Sequence, residues 1–201
     1  MELRRLRHKW NPFMYSLIIT TSREPSRRTR SFVNDLVKVV PNSIRFNRGK
    51  ATYEDLATIA KRYSSRGVLM ILEKKGNPSA LAYLIPESIT SLTRRYVVLI
   101  SSLRLLREIK DHQTPYNVRK LVLNFSKVPQ GFPQRVCEAL IEIFAPTLVQ
   151  APEESPDVVE LKVAGDENSV FVTFYCSSTG RICGPAFSVL RIHSYSAGNR
   201  V

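Results

Sequence analysis

Two stretches of this chain spell the same outline far apart in the sequence. "SLIITTSREPSRRTRSFVNDLVKVVP" (16 to 41) and "KLVLNFSKVPQGFPQRVCEALIEIFAP" (120 to 146) each run from a β-rich apolar segment through a polar turn with a proline into an amphipathic helix pattern that ends in proline. Leu17 matches Leu121, Ser22 matches Ser126, Arg23 matches Lys127 and Pro25 matches Pro129; after one extra residue Arg30 matches Arg135, Leu36 matches Ile141 and Pro41 matches Pro146. Any two strand-turn-helix units share the outline, so the matched positions carry the inference of an internal duplication. A duplicated unit of this kind restricts the fold to an α/β protein with two similar halves.

The segments between and after the repeats predict mixed sheets. "SIRFNRG" (43 to 49) alternates like a strand, and Thr52 with Asp55 signals a capping box for a helix burying Leu56, Ile59, Ala60 and Tyr63, with Gly67 as its stop. "VLMILEKKGNPSALAYLIP" predicts a hairpin turning at Lys75 to Pro78, and "RRYVVLISSLRLL" another extended segment. After the second repeat comes an acidic loop, "APEESPDVVE", then a hairpin turning at Gly165 to Asn168 and a last strand in "AFSVLRIHSY". The expected organisation is a basic arm at 1–11, an N-terminal half at 12–118, a C-terminal half at 119–195 and a tail at 196–201.

Charge divides the chain as well. Thirty Lys and Arg against seventeen Asp and Glu give +13 over 201 residues. Residues 1 to 120 hold 24 basic and 9 acidic side chains, a balance of +15, whereas residues 121 to 201 hold 6 and 8, a balance of −2. A one-sided positive field on that scale is the footprint of a protein that meets polyanions.

Enzyme signatures are missing from the same stretches: the chain has no GxxxxGK[ST], GxGxxG, GxSxG or HExxH. His8, His112 and His193 are scattered, and Cys137, Cys176 and Cys183 form no CxxC pair. The expectation is therefore no metal, no cofactor, no catalysis, and reduced buried thiols. No run approaches the roughly 20 apolar residues needed to span a bilayer, and no cleavage site follows "FMYSLIIT". The expected location is the cytoplasm.

The basic elements supply the candidate site. Arg23, Arg27, Arg28 and Arg30 surround a helix start, where cations oppose the dipole unless an anion lies between them and the free backbone amides. A bound phosphate is the expected anion. Arg45, Arg48 and Lys50 follow the next strand and should open onto the same end of the sheet if the two strands are neighbours. Guanidinium groups suit phosphate because their planar fork makes two bonds at once. Lys127, Gln130 and Arg135 are the weaker equivalents in the second repeat. Asn47 fits either its own turn or a base edge, and Trp10 in "MELRRLRHKW" either stacks on a base or packs on the domain.

These residues resemble a known family. "LIITTSREPSRRTRSFVNDLVKVVPNSIRFNRG" is similar to the opening of Brix-domain proteins, ribosome-biogenesis factors that bind ribosomal RNA. The Thr-Ser-Arg-x-Pro-Ser run at 21 to 26, Pro41-Asn42 and Asn47-Arg48-Gly49 carry the match; "KKGNPSAL" resembles the family's Gly-x-Pro turn and "GPAFSVLRIH" its closing strand. The resemblance implies a two-halved α/β domain of archaeal type, each half like the anticodon-binding domain of class II aminoacyl-tRNA synthetases. It also implies a non-enzymatic role in pre-rRNA folding or processing, with ribosomal RNA or its precursor as partner; the −2 balance of the C-terminal half suggests separately that this half contacts ribosomal or assembly proteins, or that it shields the site until RNA arrives. A tRNA-handling accessory with the same architecture is the alternative. Ala186 departs from the family's Arg after Gly-Pro, which weakens a phosphate contact there.

Overall fold

The structure, a computed structural model, describes residues 17–151 and 153–195. The basic arm with Trp10 and the C-terminal tail lie outside the described residues.

Strand β1 (Leu17–Thr21) is buried along its whole length, as a strand flanked on both faces must be. Helix α1 (Arg27–Val39) starts after Ser26, whose side chain accepts the Thr29 amide, and buries Phe32, Val33, Leu36 and Val39. Strand β2 (Ser43–Arg45) lies parallel to β1, with Leu17 opposite Ser43 and Ile19 opposite Arg45. Helix α2 (Tyr53–Arg62) begins in the expected reciprocal box, Thr52 and Asp55 each bonding the other's backbone amide. It stops at Tyr63; Gly67, expected to end it, is instead the first residue of β3 (Gly67–Lys74). The hairpin to β4 (Asn77–Pro86) turns on Lys75 and Gly76 at φ 52° and 75°, so Pro78 falls inside the strand rather than the turn. Two left-handed residues suit the twist of a two-residue hairpin loop. Strand β5 (Leu92–Arg104) completes this set.

The second set follows the same plan with β6 (Lys120–Leu123), α3 (Phe132–Phe144), β7 (Thr147–Leu148), β8 (Val158–Gly165), β9 (Val170–Cys176) and β10 (Ile182–Ser194). The expected turn at Gly165 to Asn168 joins β8 to β9, with the Asp166 carboxylate accepting the amides of Asn168 and Ser169. All ten strands form one sheet, in the order β2-β1-β3-β4-β5-β10-β9-β8-β6-β7. Read inward from each edge, the two fives have the same plan. The first strand of each is parallel to its two neighbours, and the rest are antiparallel. The sets meet where β5 pairs antiparallel with β10.

The helices repeat position for position. Arg30 donates its amide to Ser26 and Arg135 to Gly131; Val40 donates to Leu36 and Ala145 to Ile141. Among the described residues α2 has no counterpart: those between β7 and β8 form no helix. One face of the sheet carries α1 and α3 over a core with Phe32, Leu36, Leu140, Phe174 and Phe187. The other carries α2 over Ile18, Val68, Met70 and Ala82.

Candidate nucleic-acid interface

The parallel pairing of β1 with β2 brings two basic segments to one end of the sheet. Beyond the carboxyl ends of these strands lies a basin of about 740 Å³, lined by Arg23, Arg30, Arg45, Arg48 and Lys50 together with the backbone-bearing turn at Asn47 and Gly49. Crevices of this kind, outside the carboxyl ends of parallel strands, are where α/β sheets receive ligands. Glu24, held at φ 52°, is the acidic side chain in the lining. Arg23, Arg30, Arg45 and Lys50 are exposed.

Two of the arginines are organised by their neighbours. Arg45 donates to the Asn34 side-chain oxygen at 2.5 Å and to that of Asn47 at 3.1 and 2.8 Å, so Asn47 serves its own turn by fixing this guanidinium. Arg48 is only 8% exposed. Its Nε donates to the Ala51 carbonyl at 3.2 Å, its Nη1 points at the Met70 sulfur at 3.3 Å, and it lies 5.0 Å from the Tyr53 ring centre. Arg48 thus ties the turn to α2 and gives the basin its floor.

The tip of α1 differs from the expectation. The anion that faces the arginines is the chain's own Glu73, on β3: its Oε2 accepts the Ser26 amide at 3.0 Å and the Thr29 hydroxyl at 2.6 Å. Desolvation pushes the Glu73 carboxyl upward, but these bonds and the Arg30 charge outweigh it and hold the carboxyl below its usual range. The same device recurs in the second set. Glu167, in the β8–β9 turn, accepts the Phe132 amide at 2.8 Å at the start of α3. Gly131 at the N-cap, with φ 87°, leaves room for it, since a Cβ there would meet Glu167 Oε1.

The remaining expected residues do not join the basin. Arg28 turns to the short 3-10 turn at Leu106–Glu108, where its two terminal nitrogens grip the Glu108 carboxylate at 2.5 and 2.9 Å and the Leu103 carbonyl at 2.9 Å. Arg27 is exposed at the first position of α1, outside the lining. In the second set Lys127 and Gln130 are exposed. Arg135 lines a separate cavity of about 440 Å³ and lies 5.7 Å from the Phe132 ring centre and 4.0 Å from Glu167. The segment after β7, "VQAPEE", carries acids where its counterpart after β2 carries Arg48 and Lys50, so the second set builds no matching basin.

The three cysteines are free and buried. Among the described residues no three His, Cys, Asp or Glu side chains gather in a metal-holding group, and no helix is long and apolar enough to cross a membrane.

No family model matches the chain. It is 34% identical over 98 residues to a probable Brix domain-containing ribosomal biogenesis protein of Sulfurisphaera tokodaii, covering 49% of this chain and 54% of that protein. To the protein of that description in Saccharolobus solfataricus it is 35% identical over 103 residues, covering 48% and 59%; to that of Thermococcus kodakarensis, 46% over 68 residues, covering 34% and 33%. These alignments therefore span well under two thirds of each relative. In three dimensions the chain superposes with a TM-score of 0.75 on the crystal structure of a probable ribosomal biogenesis protein from Aeropyrum pernix K1, at 26% identity, over 92% of this chain and 99% of that one. A second likeness, to an archaeal Imp4-like protein, has a TM-score of 0.63 at 21% identity and concerns the fold alone.

Proposed function

We propose that the chain is a Brix-domain protein of the archaeal type, and that it is a non-catalytic, cytoplasmic factor that binds ribosomal RNA or its precursor during ribosome assembly. One observation carries the proposal: side chains from two separate segments put five cations around a single open basin at the carboxyl ends of β1 and β2. Four of them, Arg23, Arg30, Arg45 and Lys50, are exposed, and of these Arg30 also acts on the Glu73 carboxylate at the tip of α1. Such a basin takes phosphate oxygens of the RNA backbone, with Arg45 pre-oriented by Asn34 and Asn47 and Arg48 acting mainly as support. The acidic loop of the C-terminal half, "APEESPDVVE", takes ribosomal or assembly proteins, in keeping with the balance of −2 over residues 121 to 201. The repeated order of strands and helices supports a division of the chain into two halves near residue 118.

Replacing Arg23, Arg30 and Arg45 together with Ala tests the basin. Binding to ribosomal RNA fragments of unrelated sequence should weaken alike, by roughly tenfold or more, because phosphate contacts position the chain without reading bases. Unaltered affinity would move the site elsewhere. Competition by tRNA that matches competition by rRNA fragments would favour a tRNA-handling role instead.

A further inference from the structure

Among the described residues α2 has no counterpart in the second set, and none of their helices covers the corresponding part of the sheet. In the first set, α2 packs on Val68 and Met70 of β3, Ala80, Ala82 and Leu84 of β4, and Val97 of β5, all buried. The strand pairing places Glu160, Lys162, Ala164, Tyr175, Thr173, Phe171, Ala186 and Ser188 at the corresponding positions of β8, β9 and β10. Where the first set is apolar, this face is largely polar. A helix that buries Leu56, Ala57 and Ala60 would find charges and hydroxyls beneath it, so the open face is not simply a seat for a second α2.

What the face offers instead is the aromatic rings of Phe171 and Tyr175 among hydroxyls, the cations Lys162 and Arg104 and one carboxylate, Glu160. Phe171, in the middle strand, is 53% exposed. Tyr175 lies on the same face four residues on, about 13 Å away at strand spacing, with Thr173 between them. The Lys162 ammonium sits 4.5 Å from the Tyr175 ring centre and 3.3 Å from Glu160. Across β10, Ala186 pairs with the exposed Arg104 of β5, and the Ser102 hydroxyl bonds that of Ser188 at 2.9 Å. An exposed ring on a sheet flanked by cations and hydroxyls suits an unpaired base, which stacks on any π-face while the backbone meets the charges.

We infer that this open face of β8, β9 and β10 is a second RNA-contact surface, which takes single-stranded RNA by stacking a base on Phe171 and meeting backbone phosphates with Lys162 and Arg104. The inference rests on RNA being the ligand, as above, but concerns a different surface on the opposite set of strands.

The test uses the full chain, a labelled single-stranded RNA and a duplex RNA of equal length, with affinities read by fluorescence anisotropy. Phe171→Leu removes the ring from an exposed position that needs no repacking, and Phe171→Tyr restores it. The Leu variant should bind the single strand roughly tenfold more weakly, with the duplex affinity and the salt slope unchanged, and the Tyr variant should match the parent. The Arg23, Arg30 and Arg45 triple variant should weaken both RNAs. If Phe171→Leu binds the single strand as the parent does while the triple variant is impaired, the stacking surface is overturned and the basin stands. If the triple variant binds normally and Phe171→Leu does not, the basin falls and the stacking surface stands. A parent chain that binds neither RNA, or a Phe171→Leu variant that loses only a ribosomal-protein complex, overturns the inference in favour of a protein-binding face.

Discussion

The Glu73 carboxylate accepts the Thr29 hydroxyl at 2.6 Å across 44 positions of sequence, so α1 begins against an anion delivered by a strand on the far side of β1. Removing that charge by Glu73→Gln should cost about 1 kcal/mol, the usual worth of a helix cap, read as a lower urea midpoint at neutral pH. The pH dependence has a definite sign. A carboxyl held below its ordinary range in the folded state adds stability at neutral pH and loses it as pH falls through the carboxylate range. The parent and the Gln variant should therefore differ at pH 7 and converge in acid; a constant gap would show that the charge is not what matters.

Arg28 and Arg23 stand five residues apart and should behave oppositely. Arg28 grips Glu108 with two bonds, so Arg28→Ala should lower stability by about 1 kcal/mol and leave RNA affinity nearly intact. Arg23→Ala should do the reverse. Thermal melts and RNA titrations of the same two samples separate the effects.

With four exposed cations in the basin, the logarithm of RNA affinity should fall against the logarithm of salt concentration with a slope of roughly −3. Each of Arg23, Arg30, Arg45 and Lys50, when replaced by Gln, should reduce that slope by a little under one. A slope near zero would exclude phosphate contacts as the source of binding.

Arg48 is the exception among the basin's cations. Its guanidinium is almost enclosed between the Ala51 carbonyl, the Met70 sulfur and the Tyr53 ring, so Arg48→Ala should destabilise the chain by about 2 kcal/mol and release the turn at 46–51. Lysine should rescue little, because its point charge lacks the planar fork that spans these partners. Urea denaturation of both variants checks the first claim, and hydrogen exchange at Ala51, whose amide donates to the Arg48 carbonyl, checks the second.

The thiols should be silent in the native state. Burial pushes Cys137 up to about 12, and burial followed by the bond to Cys176 pushes Cys183 upward as well. A thiol reagent at pH 8 should therefore label the folded chain far more slowly than the unfolded one. Fast labelling before unfolding would contradict the packing of α3 against β9 and β10.

Local patterns made the repeat legible because a strand, a proline turn and a capped helix each leave their mark within a dozen residues. Thr52 and Asp55 announced α2 in the same way, and the register of Arg30 with Arg135 survives in matching helix positions. Contacts between distant segments left no such mark. Nothing near Arg28 signals Glu108, 80 positions on, and nothing near Ser26 signals Glu73, so the cluster around the helix start read as a single phosphate site when only Arg23 and Arg30 of it face the basin. The convergence of Arg45, Arg48 and Lys50 with them was readable, because it needed only that β1 and β2 be neighbours. The two-residue β7 and the joining of both sets into one sheet depend on tertiary pairing alone.

That joining has a consequence for how the chain is made. Strand β5 is flanked on one side by β4, but its other edge finds its mate only in β10, the last described strand. During synthesis the first five strands and both of their helices emerge complete while this long edge, from Tyr96 to Arg104, still has nothing to pair with. Until Ile182–Ser194 leaves the translating ribosome, the nascent polypeptide displays an open template for wrong pairing. Closure of so distant a pair should be a slow, late event in the acquisition of the native state, and truncation before residue 182 should yield a product that self-associates.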